Sequence, residues 1–345
     1  MSTKNILVWL PSPMGDAIMA TPSLRCIRSL YEKDKIFFFA NKTVTEIMAG
    51  CPSVDLSITI EKNNPFAIAA KLKKYNFDTA ILFKNSFASA LAVYLAGIKT
   101  RIGYAREFRG YFLTEKLIPP KISRSRFKPL SAVDYYLAIA SRLGRDTSNR
   151  RTELSVNEND IKTVCEKFGE KITGRNPLVI LVPGGAFGPS KLWPEDRFAK
   201  VSDFLTNKFS ANVFISVSPH KNEVQIAENI CSAAKKPVVN LAKHPLTLGQ
   251  LKALFSYANL VITNDTGPRH IAIALNRKIV SLFGPNNPKW TEYDYPDEIK
   301  IIADVPCAPC NKPVCKEGKH YCMESITADS VCQAAEKLLS GNKNE

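Results

Sequence analysis

Short apolar runs and longer segments of helical spacing alternate along this chain. Ile6–Leu10, Ile36–Ala40, Leu56–Ile60 and Thr79–Phe83 read as buried strands, each bounded by turn or polar residues. Between them lie helical patterns. The first opens at Asp16 and carries Ile18, Met19, Leu24, Ile27 and Leu30; the others cover Val44–Ala49, Phe66–Tyr75 and Phe87–Ala96. Strands separated by helices of this length imply right-handed βαβ units and a parallel sheet. The first half therefore reads as Rossmann-like.

Helices over Asp134–Leu143 and Ile161–Phe168 lead to a polar stretch with Gly and Pro, Lys171 to Pro177. That stretch marks the expected boundary between domains 1–172 and 173–345. The alternation then restarts, with strands Leu178–Val182, Val213–Ser218, Val238–Leu241, Leu260–Ile262 and Ile279–Phe283. Helices are expected over Arg197–Phe209, Glu223–Ala234, Leu248–Tyr257 and from Ile271 to Leu275. A last helix, 328–339, places Val331, Ala334, Ala335, Leu338 and Leu339 on one face. The expected fold class is α/β, with two Rossmann-like domains whose parallel sheets face each other across a cleft.

Composition narrows the partners. The chain has 345 residues, about right for two domains of ~100–200 residues each. Its 47 basic and 32 acidic residues give a formal charge of +15, which favours an anionic partner: nucleic acid, a membrane surface or a phosphorylated substrate. Gly97–Leu130 is the most basic stretch. It holds Lys99, Arg101, Arg106, Arg109, Lys116, Lys121, Arg124, Arg126 and Lys128 against Glu107 and Glu115. Such a run reads either as a solvated surface or as a lip for an acidic acceptor, to which arginine's planar fork is suited. Nucleic acid is disfavoured, because no binding motif or aromatic stacking platform accompanies the charge. No segment reaches the ~18 apolar residues of a membrane span, and Met1–Asn5 runs into a strand without a signal-peptide pattern.

Three loops at strand ends carry candidate chemistry. The first turn holds a single glycine, Gly15, after Pro11 and Pro13. A dinucleotide fingerprint needs three, so an oxidoreductase is disfavoured. Asp16 is either a helix cap or a general base. After Leu178–Val182 comes Pro183-Gly184-Gly185, leading to Ser190-Lys191-Leu192-Trp193-Pro194. This loop lets backbone approach a ligand and places a cation near a helix start; a plain structural turn is the alternative, and the P-loop spacing is missing. Finally Thr263-Asn264-Asp265-Thr266-Gly267-Pro268-Arg269-His270 turns a strand into a helix. Thr266 fits the cap and Pro268 the first turn, so free N–H groups and a helix dipole meet at a corner suited to anions.

Nine cysteines include Cys307-x₂-Cys310-x₄-Cys315-x₆-Cys322, with His320 nearby. Reduced thiols, a structural zinc site or a disulfide all fit this spacing; a second Cys-x₂-Cys pair is missing.

Taken together, Gly15-Asp16, the Pro-Gly-Gly loop through Pro194, and Asn264 to His270 resemble the ADP-heptose:lipopolysaccharide heptosyltransferases. Phe283-Gly284-Pro285 and the cysteine-rich stretch from Pro306 to Ile326 look most like the heptosyltransferase II branch. The resemblance implies a GT-B fold and metal-independent, inverting transfer of heptose from ADP-heptose to the lipopolysaccharide inner core, with no cofactor. It implies Asp16 as general base and Lys191, Ser190 and the Thr266-Gly267 amides as stabilisers of the leaving ADP, with Gly185, Asp265 and His270 also on the donor side. Asp265 is expected to orient sugar hydroxyls or the loop. His270 reads as a phosphate contact, a brace or a packed core histidine. Gly15, Arg101, Arg106, Arg109, Arg124 and Arg126 become acceptor-binding candidates. By analogy the last helix is expected to cross back to the first domain. The implied protein is a monomer, cytoplasmic and peripheral to the inner membrane. Rival readings are a glycosyltransferase with another nucleotide sugar and a non-catalytic nucleotide- or nucleic-acid-binding protein.

Overall fold

The computed structural model describes residues 3–61, 64–123, 127–185 and 187–341. The chain divides into two compact units. Unit 1 comprises Met1–Ser155 with Lys289–Tyr293, and unit 2 comprises Val156–Pro288 with Asp294–Glu345.

Unit 1 is built on strands β1 (Asn5–Trp9), β2 (Lys35–Ala40), β3 (Leu56–Thr59), β4 (Thr79–Leu82), β5 (Thr100–Tyr104) and β6 (Glu115–Leu117), in the order β3-β2-β1-β4-β5-β6. Unit 2 holds β7 (Leu178–Val182), β8 (Asn212–Ile215), β9 (Val238–Asn240), β10 (Leu260–Asn264), β11 (Lys278–Phe283) and β12 (Glu298–Ile302), in the order β12-β11-β10-β7-β8-β9. Read from its own first strand, each sheet has the same winding, and all the named pairings are parallel. Helices cover both faces, so β7 and β10 are buried along their whole length, β7 as a continuous apolar run and β10 as Leu260–Ile262 followed by buried Thr263 and Asn264. In such sheets ligands bind beyond the carboxyl ends of the strands, where the strand order reverses. That point is β1/β4 in unit 1 and β7/β10 in unit 2.

Several expected elements shift, each for a local reason. The first helix breaks into Met14–Met19 and Thr21–Leu30 because Pro22, in the opening turn of the second, cannot continue the first. β5, β6 and β12 were not anticipated. β6 is an edge strand whose solvent side tolerates Lys116, β12 is an edge strand that opens on Glu298, buried against Arg269, and β5 is half polar. The unit boundary falls at Ser155/Val156, ahead of residue 172. Helices Glu158–Phe168 and Glu170–Thr173 pack on Leu248–Tyr257, where the Cys165 thiol meets the Tyr257 hydroxyl at 3.2 Å. The last helix, Ala328–Ser340, packs on the sheet of its own unit. Val331, Ala334 and Ala335 join the unit 2 core, and Lys278 Nζ donates to the Leu338 carbonyl at 2.7 Å. The segment that rejoins unit 1 is Lys289–Tyr293, where the Ser131 hydroxyl donates to the Glu292 carbonyl.

Candidate active site

At the switch point of unit 1, β1 ends and the chain turns through Pro11–Pro13 into the helix Met14–Met19, which buries Gly15 and leaves Asp16 half-buried in the first turn. The helix Ala132–Arg142 places the Tyr136 hydroxyl against the Asp16 carboxylate. Burial raises the Asp16 carboxyl from its ordinary 3.8 to about 6, and the Tyr136 hydrogen bond works the other way. Tyr136 is itself buried, and with that carboxylate beside it the hydroxyl keeps its proton and serves as a donor. Around this pair, Asn85 Nδ2 donates to the Tyr135 hydroxyl at 3.0 Å, and Tyr135 stacks on Tyr104 at 3.9 Å. Lys84, beyond β4, has its ammonium pKa lowered by burial.

The basic stretch divides on inspection. The Arg101 guanidinium donates to the carbonyls of Ile98, Lys99 at 3.2 Å and Phe112 at 2.5 Å. Arg109 is wholly buried and donates to the Lys84 carbonyl at 2.5 Å. Its Nε and Nη2 lack partners among the described residues, and burial lowers its pKa to about 10. A Cβ at Gly103 would stand 2.7 Å from Arg109 Nη2 and 3.1 Å from the Leu82 carbonyl, so the guanidinium packs directly over this glycine. Arg106 lies over the Phe127 ring at 4.3 Å and hydrogen-bonds Tyr135. Arg124 and Arg126 lie outside the described residues.

At the switch point of unit 2, the loops after β7 and β10 meet. A Cβ on Gly185 would touch Thr266 Cγ2 at 3.5 Å and Lys191 Cβ at 3.7 Å, so these two sequence motifs share one corner. Lys191 is buried, and a buried cation requires a counter-charge. Its Nζ donates to Asp265 Oδ2 at 3.0 Å and to the Asp265 carbonyl at 2.5 Å. Burial alone would raise the Asp265 carboxyl, but Lys191, Arg269, His270 and an Asn286 hydrogen bond hold it down at about 2. His270 is buried, and burial with the Arg269 charge lowers it to about 3, so it is a neutral imidazole at physiological pH. Thr266 is the N-cap residue of the helix Gly267–Ala274, with Pro268 in the first turn, but its side chain makes no cap hydrogen bond. Its hydroxyl instead lies 3.4 Å from that of Thr263.

Two donor-side expectations change. Ser190 is buried and its hydroxyl donates to the Lys312 carbonyl at 2.6 Å, so it ties the loop to the cysteine-rich segment instead of presenting a donor. The Gly185 N–H donates to Glu223 Oε1 at 3.2 Å, and the Ser218 N–H donates to Oε2 of the same carboxylate at 2.8 Å. Glu223 was missed, as were Arg269 and Glu298. Arg269 pairs with Glu298 through Nε at 2.6 Å and Nη2 at 2.9 Å, with the Ser281 hydroxyl on the same carboxylate. Arg269 lay within the recognised motif; its partner is far along the chain and carries no local signal.

Among the described residues no group of three or more His, Cys, Asp or Glu is placed to hold a metal ion, and all nine cysteines are free. Cys307 and Cys310 are exposed, Cys315 is half-buried and Cys322 is buried. Burial and the three neighbouring thiols raise the Cys322 pKa and keep it protonated.

A family model described as glycosyltransferase family 9 (heptosyltransferase) matches residues 66–321. The chain belongs to this family. Among relatives, "Lipooligosaccharide heptosyltransferase 2" of Haemophilus ducreyi is 28% identical over 97% of this chain and 99% of its own length. "Lipopolysaccharide heptosyltransferase 2" of Escherichia coli is 27% identical over 97% and 98%. Of solved structures, E. coli ADP-heptose LPS heptosyltransferase II matches with TM-score 0.80 at 26% identity, covering 98% of this chain and 99% of that one. E. coli heptosyltransferase WaaC with ADP-2-deoxy-2-fluoro heptose matches with TM-score 0.71 at 18% identity, over 96% and 99%. This family 9 member is therefore a glycosyltransferase of GT-B fold, and the resemblance read from its motifs holds.

Proposed function

We propose that the chain transfers L-glycero-D-manno-heptose from ADP-heptose to the inner core of lipopolysaccharide, with inversion at the anomeric carbon. One observation carries the mechanism. Asp16, at the switch point of unit 1, is tuned by burial to about 6, where a carboxylate is mostly ionised at neutral pH yet basic enough to take a proton. It removes the proton of the attacking acceptor hydroxyl as the bond to the anomeric carbon forms.

Unit 2 receives the leaving group. Of the three donors on the Lys191 ammonium, two are taken by Asp265 and the third is assigned to the diphosphate. The amides at Thr266-Gly267 and the dipole of the following helix share the charge that develops as ADP departs. Asp265 positions Lys191, and neutral His270 braces the loop without adding charge. This route uses no metal ion, so activity persists in excess chelator. Arg106, beside Tyr135, and the basic sequence through Arg109, Arg124 and Arg126 give unit 1 the positive charge that matches acidic core sugars and phosphates. The enzyme works as a monomer in the cytoplasm, and its basic surface holds it to the anionic face of the inner membrane at ~1 kcal/mol per Lys or Arg near the lipid. Among the described residues no helix is long and apolar enough to cross a membrane.

Transfer assays with truncated, heptose-deficient core acceptors test the reading, comparing ADP-heptose with UDP- and GDP-sugars. Turnover with ADP-heptose alone, lost on Asp16→Asn and on Lys191→Ala, is the expected result. Equal turnover with UDP- or GDP-sugars defeats the donor assignment.

A further inference from the structure

Unit 1 carries an exposed projection of apolar and basic residues at the carboxyl edge of its sheet, and nothing in the reaction accounts for it. Beyond β5 the chain makes a tight turn, closed by the Arg109 N–H donating to the Arg106 carbonyl at 3.0 Å. Glu107 and Phe108 take left-handed backbone there, with φ of 50° and 62°. Phe108 is left 85% exposed and Tyr111 86% exposed. The Ala105 N–H donates to the Leu117 carbonyl at 2.8 Å, which brings this turn beside Ile118, 74% exposed beyond β6. The chain then doubles back, with Lys121 bridged to Phe127 and the Lys128 N–H donating to the Pro120 carbonyl at 3.0 Å. Ile122 sits on this return, 60% exposed.

A folded protein in water rarely clusters large apolar side chains at one exposed edge unless something covers them. The neighbouring charges say what covers them. Lys116, Lys121 and Lys128 are all exposed on the same excursion, whereas the acidic residues there are only Glu107 and Glu115. Exposed apolar side chains ringed by lysine are the pattern of a surface that enters the headgroup region of an anionic bilayer. A sugar-binding cleft would bury its aromatic rings as platforms, and a nucleic-acid surface would present them flat along a groove. Here Phe108 stands on a turn, Tyr111 on a short 3-10 helix, Ile118 just beyond β6 and Ile122 on a bend, all exposed.

We propose that residues 106–122 form a membrane-insertion projection. Phe108, Tyr111, Ile118 and Ile122 enter the acyl–headgroup boundary, and Lys116, Lys121 and Lys128 hold lipid phosphates. The inference rests on the lipid-borne acceptor of the proposed function. It adds that attachment is partly apolar, and that the edge of unit 1 bearing Asp16 is the edge turned to the bilayer.

The test is co-sedimentation of the full chain with phosphatidylglycerol/phosphatidylethanolamine vesicles at about 0.1 M and about 1 M salt, where charge is screened beyond ~3 Å. The wild-type protein should keep a salt-resistant bound fraction. Phe108→Ser/Ile118→Ser should lose it, with binding at least about tenfold weaker. Ile302→Ser/Val314→Ser, which removes exposed apolar groups from unit 2, should bind as wild type does. All three proteins should turn over a delipidated, water-soluble core acceptor equally. Four results overturn the proposal: unchanged binding of the Phe108/Ile118 variant, equal loss in the control, equal binding to neutral phosphatidylcholine vesicles, or a tenfold fall in turnover of the soluble acceptor. A change of oligomeric state in gel filtration on Phe108→Ser/Ile118→Ser would assign the surface to a second copy of the chain and also overturn it. Vesicle binding needs no turnover, so failure of the transferase reading shows separately, as a wild-type protein that binds vesicles and transfers nothing.

Discussion

Replacing Asp16 by Asn should remove activity and add stability, and both follow from the same burial. The fold raises the Asp16 carboxyl from 3.8 to about 6, a shift of roughly two pH units, each worth ~1.4 kcal/mol. Full burial would therefore set about 3 kcal/mol against ionisation. The side chain retains some exposure, so screening by water reduces this to about 1–2 kcal/mol. Because the folded value lies above the unfolded one, the fold favours the protonated form. That stability is complete below about pH 4 and is lost as the pH rises through about 6. Asparagine is neutral at every pH and can still accept from Tyr136. Asp16→Asn should thus match wild type near pH 4 and melt about 2–8 °C higher at pH 8, taking ~2–4 °C per kcal/mol for a unit of this size. Its kcat for heptose transfer should fall by ~10²–10⁴-fold, the usual contribution of a general base. Calorimetry at the two pH values with single-turnover assays measures both. Equal melting temperatures at pH 8 would refute the burial argument, and a kcat within tenfold of wild type would refute the role as base.

Three further outcomes test neighbouring parts of the reasoning. Tyr136→Phe deletes the hydrogen bond that lowers the Asp16 pKa, so the acidic limb of the kcat/KM–pH profile should move up by about one unit; an unmoved limb removes Tyr136 from the site. Arg101→Ala should destabilise unit 1 by about 2 kcal/mol in denaturant titration while leaving the acceptor KM unchanged, because its guanidinium is spent on carbonyls. Gly184→Ala puts a Cβ 2.3 Å from Glu223 Oε2, forcing that carboxylate off the Gly185 and Ser218 amides. ADP binding by calorimetry should weaken by about tenfold, and an unchanged Kd would show that Glu223 does not shape the loop.

The strands of both sheets' interiors and the three loops at the switch points were legible because each rests on residues adjacent in sequence. β7 is an unbroken apolar run and β10 opens on one, Leu260–Ile262, while Gly15-Asp16, Gly184-Gly185 and Asp265-Thr266-Gly267 announce turns by their composition. What escaped was long-range pairing. Nothing beside Asp16 points to Tyr136, and nothing beside Arg269 points to Glu298; those contacts exist only once helices and strands are stacked. The arginines show the same limit from the other side. As residue types, Arg101 and Arg106 look equivalent, yet one is consumed by backbone carbonyls and the other lies over Phe127 beside Tyr135. Ser190 likewise reads as a loop hydroxyl until the Lys312 carbonyl is found opposite it.

The return of Lys289–Tyr293 to unit 1 bears on how the protein is made. During synthesis the amino-terminal sheet emerges whole long before Glu292 leaves the ribosome, so its Ser131 hydroxyl must wait for a carbonyl supplied by a much later part of the chain. The first sheet can assemble early, but its final stitch is sewn only after most of the second has been translated. Cutting the gene at the apparent boundary would leave a first half lacking that stitch, and co-expressing the two halves would not restore the covalent order in which it is normally made.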